Sequence, residues 1–388
     1  MSTAIALMAQ GGTQWMGGLQ YTAHLIEALS RLPRSERARL RILLFAGSAQ
    51  REGLGDSVVL VDECREAMPP ASAWAKMHDR WRGRVSGYAD PWTDRAMTAL
   101  GIDFVYPHHV RDHLPRRFRA AAWLPDFQHE SMPQMFSEGE LDERRRRFAE
   151  VAEYADRIVL SSEDARAQLA RSHATARAPA VVLPFPSCPR PDWFDRDASL
   201  TRVNYHLPEH FLLVCNQFWK HKNHHQLWNA LALLAERGLR PPVVLTGHTH
   251  DYRNPRHFDE LLDSAHRLGI ARQLSFLGVV PRADQVQLMR AAVAMLQPSR
   301  FEGWSTVVED ARALGCPILM SDIGVHREQS PAHGQYFALD DARALAELMA
   351  ASWETRGRPH DEATARAENA VSIEAFARRF VALAEGRL

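Results

Sequence analysis

Short uninterrupted apolar runs, separated by stretches with helical spacing, recur along this chain and constrain its fold more than any other feature. TAIALMA (3–9) is followed by a helical pattern near 17–32. RILLFA (41–46), DFVYP (103–107), AAAW (120–123), RIVLSS (157–162) and AVVLP (180–184) come next, with helices between several of them. A strand with one wet face alternates apolar and polar residues. These runs do not, so they predict strands covered on both sides, hence a parallel sheet in a doubly wound α/β layer. Residues 184–198, PFPSCPRPDWFDRDA, carry four prolines and no periodicity, and predict a linker. The alternation then restarts with FLLVC (211–215), VVLTG (243–247), LSFLG (274–278), VAMLQ (293–297) and CPILM (316–320), with helices from about Asn223, near 257–269 and near 282–292.

A chain of 388 residues exceeds one ordinary core. The expected domains are 1–190 and 191–371. The end, SIEAFARRFVALAEGRL (372–388), has helical spacing and no partner strand, and predicts a helix packing back across the domains. Two such domains facing each other place strand carboxyl ends along a shared cleft, where ligands of these sheets bind.

Composition excludes several function classes. Hydrophobic content of 46% with 24% charged residues is that of a soluble globular protein. Lys+Arg and Asp+Glu both total 47, so no net charge argues for nucleic acid. No apolar run approaches the roughly 20 residues that span a bilayer. The start reads as a first strand instead of a signal peptide. Cys64, Cys188, Cys215 and Cys316 lack C-x-x-C spacing, which suits reduced thiols in the cytoplasm. The 19 histidines show no H-E-x-x-H or comparable spacing, so no metal is expected.

The cations are skewed: 3 lysines, Lys76, Lys220 and Lys222, stand against 44 arginines. Two of the three fall within WKHKNHH. Lysine's compact point charge differs from the planar arginine fork, and the clustering marks a site.

The stretch FEGWSTVVEDARALG (301–315) leaves a strand near Pro298, turns at Gly303 and starts a helix near Thr306. Thr306 followed by Glu309 matches a capping box. At about 100° per residue, Val307, Val308, Ala311 and Leu314 form one apolar arc. That phase points Glu309 to solvent and sets Asp310 at the edge of the buried face, where a carboxylate can accept from two vicinal hydroxyls. The N–H groups around Gly303–Val307 favour an anion such as a diphosphate.

These residues resemble glycosyltransferase family 4, whose signature is E-x7-E in a strand–loop–helix, commonly E-G-F-G-L-P-x-x-E-A-x-A-x-G. On EGWSTVVEDARALG the glycines at 303 and 315 match, and Glu302 and Asp310 fall at the two acidic positions, the second being Asp in place of Glu, with Glu309 as the fallback. The resemblance implies the GT-B fold, with Glu302 near the donor sugar and Asp310 on the nucleotide ribose. Gly303, Trp304, Ser305 and Thr306 then line the donor phosphates. CNQFWKHKNH (215–224) resembles the segment in which an Arg and a Lys grip those phosphates. Lys222 fills the Lys position and Gln217 stands where the Arg often is. LGVVP (277–281) resembles the loop whose backbone contacts the nucleobase, here at Val280. GGTQWMGGLQY (11–21), with Gly17 and Gly18, resembles the glycine-rich turn near donor and acceptor. WLPDFQHESMP (123–133) resembles the segment carrying a catalytic-region His-Asp pair, which makes Asp126 and His129 candidates for contacting the sugar or acceptor hydroxyl.

The implied activity is retaining transfer from a UDP- or GDP-sugar, for example mannose, to a saccharide or lipid-linked acceptor in bacterial surface polysaccharide synthesis. No metal or other cofactor is needed in it. A nucleotide-sugar epimerase or hydrolase of the same fold is the alternative. Asp195-Arg196-Asp197 reads as a solvated charge pair. Glu143-Arg144-Arg145-Arg146-Arg147 reads as a solvated helix face or, given lipid-linked acceptors, as a peripheral contact with anionic headgroups at the inner face of a membrane.

Overall fold

The computed structural model describes residues 2–12, 15–66, 91–108 and 117–388, so Lys76 lies outside the described residues. The chain forms two compact units: Met1–Phe185 with Val371–Leu388, and Pro186–Ala370.

The first unit holds β1 (Thr3–Met8), β2 (Leu40–Phe45), β3 (Glu63–Arg65), β4 (Phe104–Tyr106), β5 (Arg119–Ala120), β6 (Ala122–Leu124), β7 (Ile158–Leu160) and β8 (Ala180–Val182); β3, half-buried Glu-Cys-Arg, is not one of the expected apolar runs, and the run at 120–123 divides between β5 and β6. They make a five-stranded sheet ordered β3-β2-β1-β4-β5 and a three-stranded sheet ordered β6-β7-β8, with all pairings parallel. Ala4, Ala6, Leu43, Phe45 and Val105 share one apolar core. Leu124, Ile158 and Leu160 share another with Phe127, Phe148 and Leu169. The glycine-rich turn after β1 leads into the helix Met16–Ser30. Trp15 stacks on Trp123 at 5.8 Å and Trp123 on Tyr21 at 3.9 Å.

The second unit holds β9 (Leu212–Cys215), β10 (Val243–Thr246), β11 (Leu274–Gly278), β12 (Ala294–Gln297), β13 (Ile318–Ser321) and β14 (Gly334–Phe337). Their order is β11-β10-β9-β12-β13-β14, all parallel. Counted from β9, this is the 3-2-1-4-5-6 order of a dinucleotide-binding sheet. Alternate residues enter opposite cores. Leu212, Val214, Val243, Leu245, Leu296 and Leu319 pack on one face, and Leu213, Cys215, Val244, Met295, Ile318 and Met320 on the other. That two-sided burial is why these strands read as uninterrupted apolar runs.

Two segments differ from expectation. Residues 184–198 are no featureless linker. Pro191 starts a one-turn helix, Pro191–Phe194, and Asp197 caps the helix Ala198–Asn204 by accepting from Ser199 N at 2.9 Å. Proline is tolerated at the first helical position because the N–H it lacks has no partner there. The Trp193 carbonyl accepts from Gln287 at 2.8 Å and Arg290 at 3.1 Å, which docks the segment. The terminal helix begins at Glu362, not near Ser372. EATARAENAV lacks an apolar stripe, but seven of its ten residues are Ala, Glu or Arg, which favour helix. Further along, Phe380 packs edge-on against Phe104 and Tyr106. Among the described residues, no helix is long and apolar enough to cross a membrane.

Candidate functional site

In a doubly wound sheet, ligands bind beyond the strand carboxyl ends where the strand order reverses. In the second unit that point lies between β9 and β12. The segments leaving these two strands are residues 216–223 and 298–305, and they are tied together by the Arg300 N–H donating to the His221 carbonyl at 2.8 Å.

Lys222 ends the short 3-10 turn Lys220–Lys222, and Asn223 follows in the left-handed region at φ 57°. The Lys222 ammonium donates to Glu302 Oε1 at 2.7 Å, and both side chains are largely buried, at 14% and 9% exposure. Gln297, at the end of β12, donates from Nε2 to the same Oε1 at 2.7 Å and to Ser305 Oγ at 3.1 Å. Its Oε1 accepts from Asn216 Nδ2 at 2.8 Å, which joins the ends of β9 and β12. Burial alone would raise the pKa of Glu302. The Lys222 charge, with hydrogen bonds from Lys222 and Ser299, outweighs it and holds the carboxyl below its ordinary range. The site is therefore an ionised carboxylate and an ammonium held side by side. Gly247, after β10, is packed so closely that a Cβ there would lie 2.2 Å from Asn216 O.

Gln217 is half-buried, and its Oε1 is buried without a hydrogen-bond partner. Gly303, Trp304 and Thr306 are half-buried, and Ser305 is buried. Val280 lies just beyond β11, two strands from β9 and so about 10 Å away at ordinary strand spacing.

The doubled acid differs from the sequence expectation. The helix is Thr306–Leu314 with Ser305 at the N-cap and no side-chain cap, so the Thr306–Glu309 capping box is not formed. Val308, Ala311 and Leu314 do face the core. Glu309 is not in solvent, however; it is 1% exposed. The helix Gly324–Gln329 covers that side, and Gln329 Nε2 donates to Glu309 Oε1 at 2.9 Å. Burial pushes the Glu309 carboxyl up to about 7, against the smaller effects of Arg312 and the Gln329 bond. Asp310, 2% exposed, does not sit at an open edge. It pairs with Arg282 through both oxygens and accepts from Ser187 Oγ. Burial opposes the Arg282 charge, but Asp310 dominates and raises the guanidinium's pKa. Helix phase was legible; the neighbours covering each face were not.

In the first unit, Gly18 packs on the turn itself: a Cβ on it would lie 2.7 Å from Gly11 N. Gly17 is half-buried in the first helical turn. Asp126 is half-buried and accepts from Gln128 N at 2.9 Å, opening the helix Gln128–Ser131. His129 is no loop histidine open to a ligand. It is fully buried, edge-on to Phe148 at 4.5 Å, and burial lowers its pKa despite Glu130 and Asp126. An intervening apolar neighbour, Phe127, carries that helix into the core.

Asn216, Gln297, Arg282, His326 and Gln329 escaped the sequence reading. Gln297 and Asn216 had a usable signal, a polar amide at the end of an otherwise apolar strand run. The others had none, since they reach the site through tertiary packing.

Residues 199–369, under half of the chain, match the family model described as "Glycosyl transferases group 1". The D-inositol 3-phosphate glycosyltransferase of Thermobifida fusca is 30% identical over 195 residues, 48% of this chain and 44% of that protein. The chain is thus matched over less than half the length of that curated relative. A crystal structure of Anabaena HepE in complex with UDP and glucose superposes with a TM-score of 0.69 at 18% identity, covering 99% of this chain and 100% of that one. A glycosyltransferase from Rickettsia africae superposes at 0.68 and 12% identity, covering 99% and 98%. Together these similarities establish a GT-B fold of two Rossmann-like units and support a glycosyltransferase, with the family signal in the second unit.

Proposed function

We propose that the chain is a retaining, metal-independent glycosyltransferase that takes its sugar from a nucleoside diphosphate donor. The observation that carries this reading is the Lys222–Glu302 pair at the reversal point of the second sheet. Lys222 and the first-turn N–H groups of the helix Thr306–Leu314 neutralise charge growing on the diphosphate as it leaves, the role a metal plays elsewhere. Glu302, ionised beside them, stabilises the oxocarbenium-like sugar, and the acceptor hydroxyl attacks from the leaving-group face. Gln217, with its unpartnered oxygen, and Val280 belong to the donor side of this reading. Asp126 is the first unit's candidate for meeting a sugar or acceptor hydroxyl. Asp310 keeps acceptor capacity beyond Arg282 and Ser187, but a ribose contact there requires its buried carboxylate to be uncovered. A UDP- or GDP-sugar donor and a saccharide or lipid-linked acceptor of surface polysaccharide assembly fit the resemblance best.

The test is a panel of UDP-, GDP- and dTDP-sugars with and without saccharide and lipid-linked acceptors. Acceptor-dependent nucleotide release with retained anomeric configuration supports the reading. Acceptor-free epimerisation or hydrolysis, or binding without turnover, rejects it. Lys222→Ala should lower kcat/KM at least about a hundredfold, the usual scale for losing one donor aimed at transition-state charge. Near-normal transfer by this variant removes the phosphate-clamp assignment.

A further inference from the structure

Ser305 stands at the N-cap of the helix Thr306–Leu314, with the extended backbone usual there, φ −85° and ψ 109°. Serine ordinarily caps a helix by accepting from the N–H two or three positions on. Elsewhere this chain uses it so: Ser162 accepts from Ala165 N at 3.0 Å and Ser137 from Glu140 N at 3.4 Å. Ser305 makes no such bond. Its hydroxyl is drawn back to the end of β12, where it accepts from Gln297 Nε2 at 3.1 Å. The helix start is secured from outside instead. Gln329, buried at the end of the helix Gly324–Gln329, accepts from Ser305 N at 3.2 Å through Oε1 and donates from Nε2 to Ser305 O at 2.9 Å. An N–H only donates and a carbonyl only accepts, so both ends of the Gln329 amide are fixed. The same Nε2 donates to Glu309 Oε1 at 2.9 Å. One side chain thus grips the first turn at both ends, the N-cap peptide and the fourth helical residue.

The difference lies in which groups each kind of cap consumes. A cap from the Ser305 hydroxyl would engage the N–H of Val307 or Val308, donors that an anion at the helix start needs. Gln329 engages only groups that flank the turn. The Thr306 and Val307 N–H groups therefore keep no hydrogen-bond partner among the described residues, although the turn is held. An anion is bound best by N–H groups that are fixed in direction and not already bonded. A self-capped start meets the first condition and fails the second, and a frayed start does the reverse. We propose that Gln329 is a positioning residue for the donor: it caps this helix from the neighbouring one, so that the first turn is rigid while its N–H groups stay open to the diphosphate. The inference rests on the reading that the diphosphate lies at this helix start. Gln329 itself acts only through Ser305 and Glu309.

Gln329→Met keeps the length of the side chain and removes all three of its bonds. The measurement is calorimetric titration of wild type and variant with UDP and GDP, and with uridine and guanosine as probes that lack the phosphates. For the tighter nucleotide the variant should bind at least about tenfold more weakly, the usual scale for losing a partner that orients a binding group. Binding of the matching nucleoside should be unchanged. Unchanged nucleotide binding overturns the inference. So does an equal loss for nucleotide and nucleoside, which marks a structural role alone. Both results leave the donor reading intact. Residue-resolved amide exchange of the wild-type protein needs no variant. Without nucleotide the Ser305 N–H should exchange slowly and those of Thr306 and Val307 fast, and the nucleotide should slow the latter two. Thr306 and Val307 amides that are already slow, or that the bound nucleotide leaves fast, overturn the inference. Failure of both nucleotides to bind the wild-type protein overturns the donor reading and the inference with it.

Discussion

Glu309 and Asp310 are adjacent in sequence, equally buried and opposite in circumstance. Asp310 has a guanidinium and a hydroxyl on its oxygens, whereas Glu309 has one amide and a distant Arg312 at 3.5 Å. Asp310→Asn leaves Arg282 without its counter-charge and should cost on the order of 3 kcal/mol in denaturant titration. Glu309→Gln should behave in the opposite way, and with a pH signature. A carboxyl whose folded pKa, about 7, lies above its ordinary 4.5 adds stability below pH 4.5 that is lost as the pH rises through 7. Between pH 5 and 8 the variant should therefore gain on the wild type, by at most about 3 kcal/mol. A constant difference across that range rejects the buried, protonated Glu309. The sequence held part of this pair. The apolar arc of the helix was legible from its spacing, but the burial of Glu309, in place of the expected capping role and solvent exposure, was not. That burial depends on Gln329, which arrives from another helix twenty residues on.

At the scale of elements, most strands were legible because burial on both faces writes itself as an uninterrupted apolar run; β3 and β14, which are partly polar and only half-buried, were not. Their order was not, since nothing within a strand names its neighbour. The order matters most, because the reversal between β9 and β12 brings Lys222 to Glu302 across 80 residues of chain. Gly247 shows how tightly these elements meet. Its φ of 134° and the 2.2 Å separation a Cβ would have from Asn216 O leave no room for alanine. Gly247→Ala should cost at least about 2 kcal/mol in stability, as overpacked sites do. It should also weaken nucleotide binding, because the displaced backbone leads directly to Lys222. Thermal melts and UDP titration of this variant check both effects; unchanged binding would uncouple the β10 end from the site.

For the molecule as a whole, each unit builds its own parallel sheets, two in the first and one in the second, and its own cores. The lysine-bearing segment, the acid loop and the helix that braces it all belong to Pro186–Ala370. In hydrogen-exchange mass spectrometry with saturating UDP, slowing should therefore concentrate in peptides covering 216–223 and 298–309. Slowing confined to the first unit would contradict the donor assignment. The division into two α/β repeats was readable from the proline-rich break at 184–198, yet the docking of that segment through Trp193 was not, because prolines in sequence do not reveal what their carbonyls will meet. The Gln297 side chain gives this site a direction. An ionised Glu302 can only accept, so the Gln297 amide must turn its nitrogen toward it and its oxygen toward Asn216, whose nitrogen must then point inward. A single negative charge thus sets the polarity of a chain of amides running from β12 to β9. If that charge were lost, each amide in turn would be free to reverse, and the site would lose its handed arrangement of donors without losing a single atom.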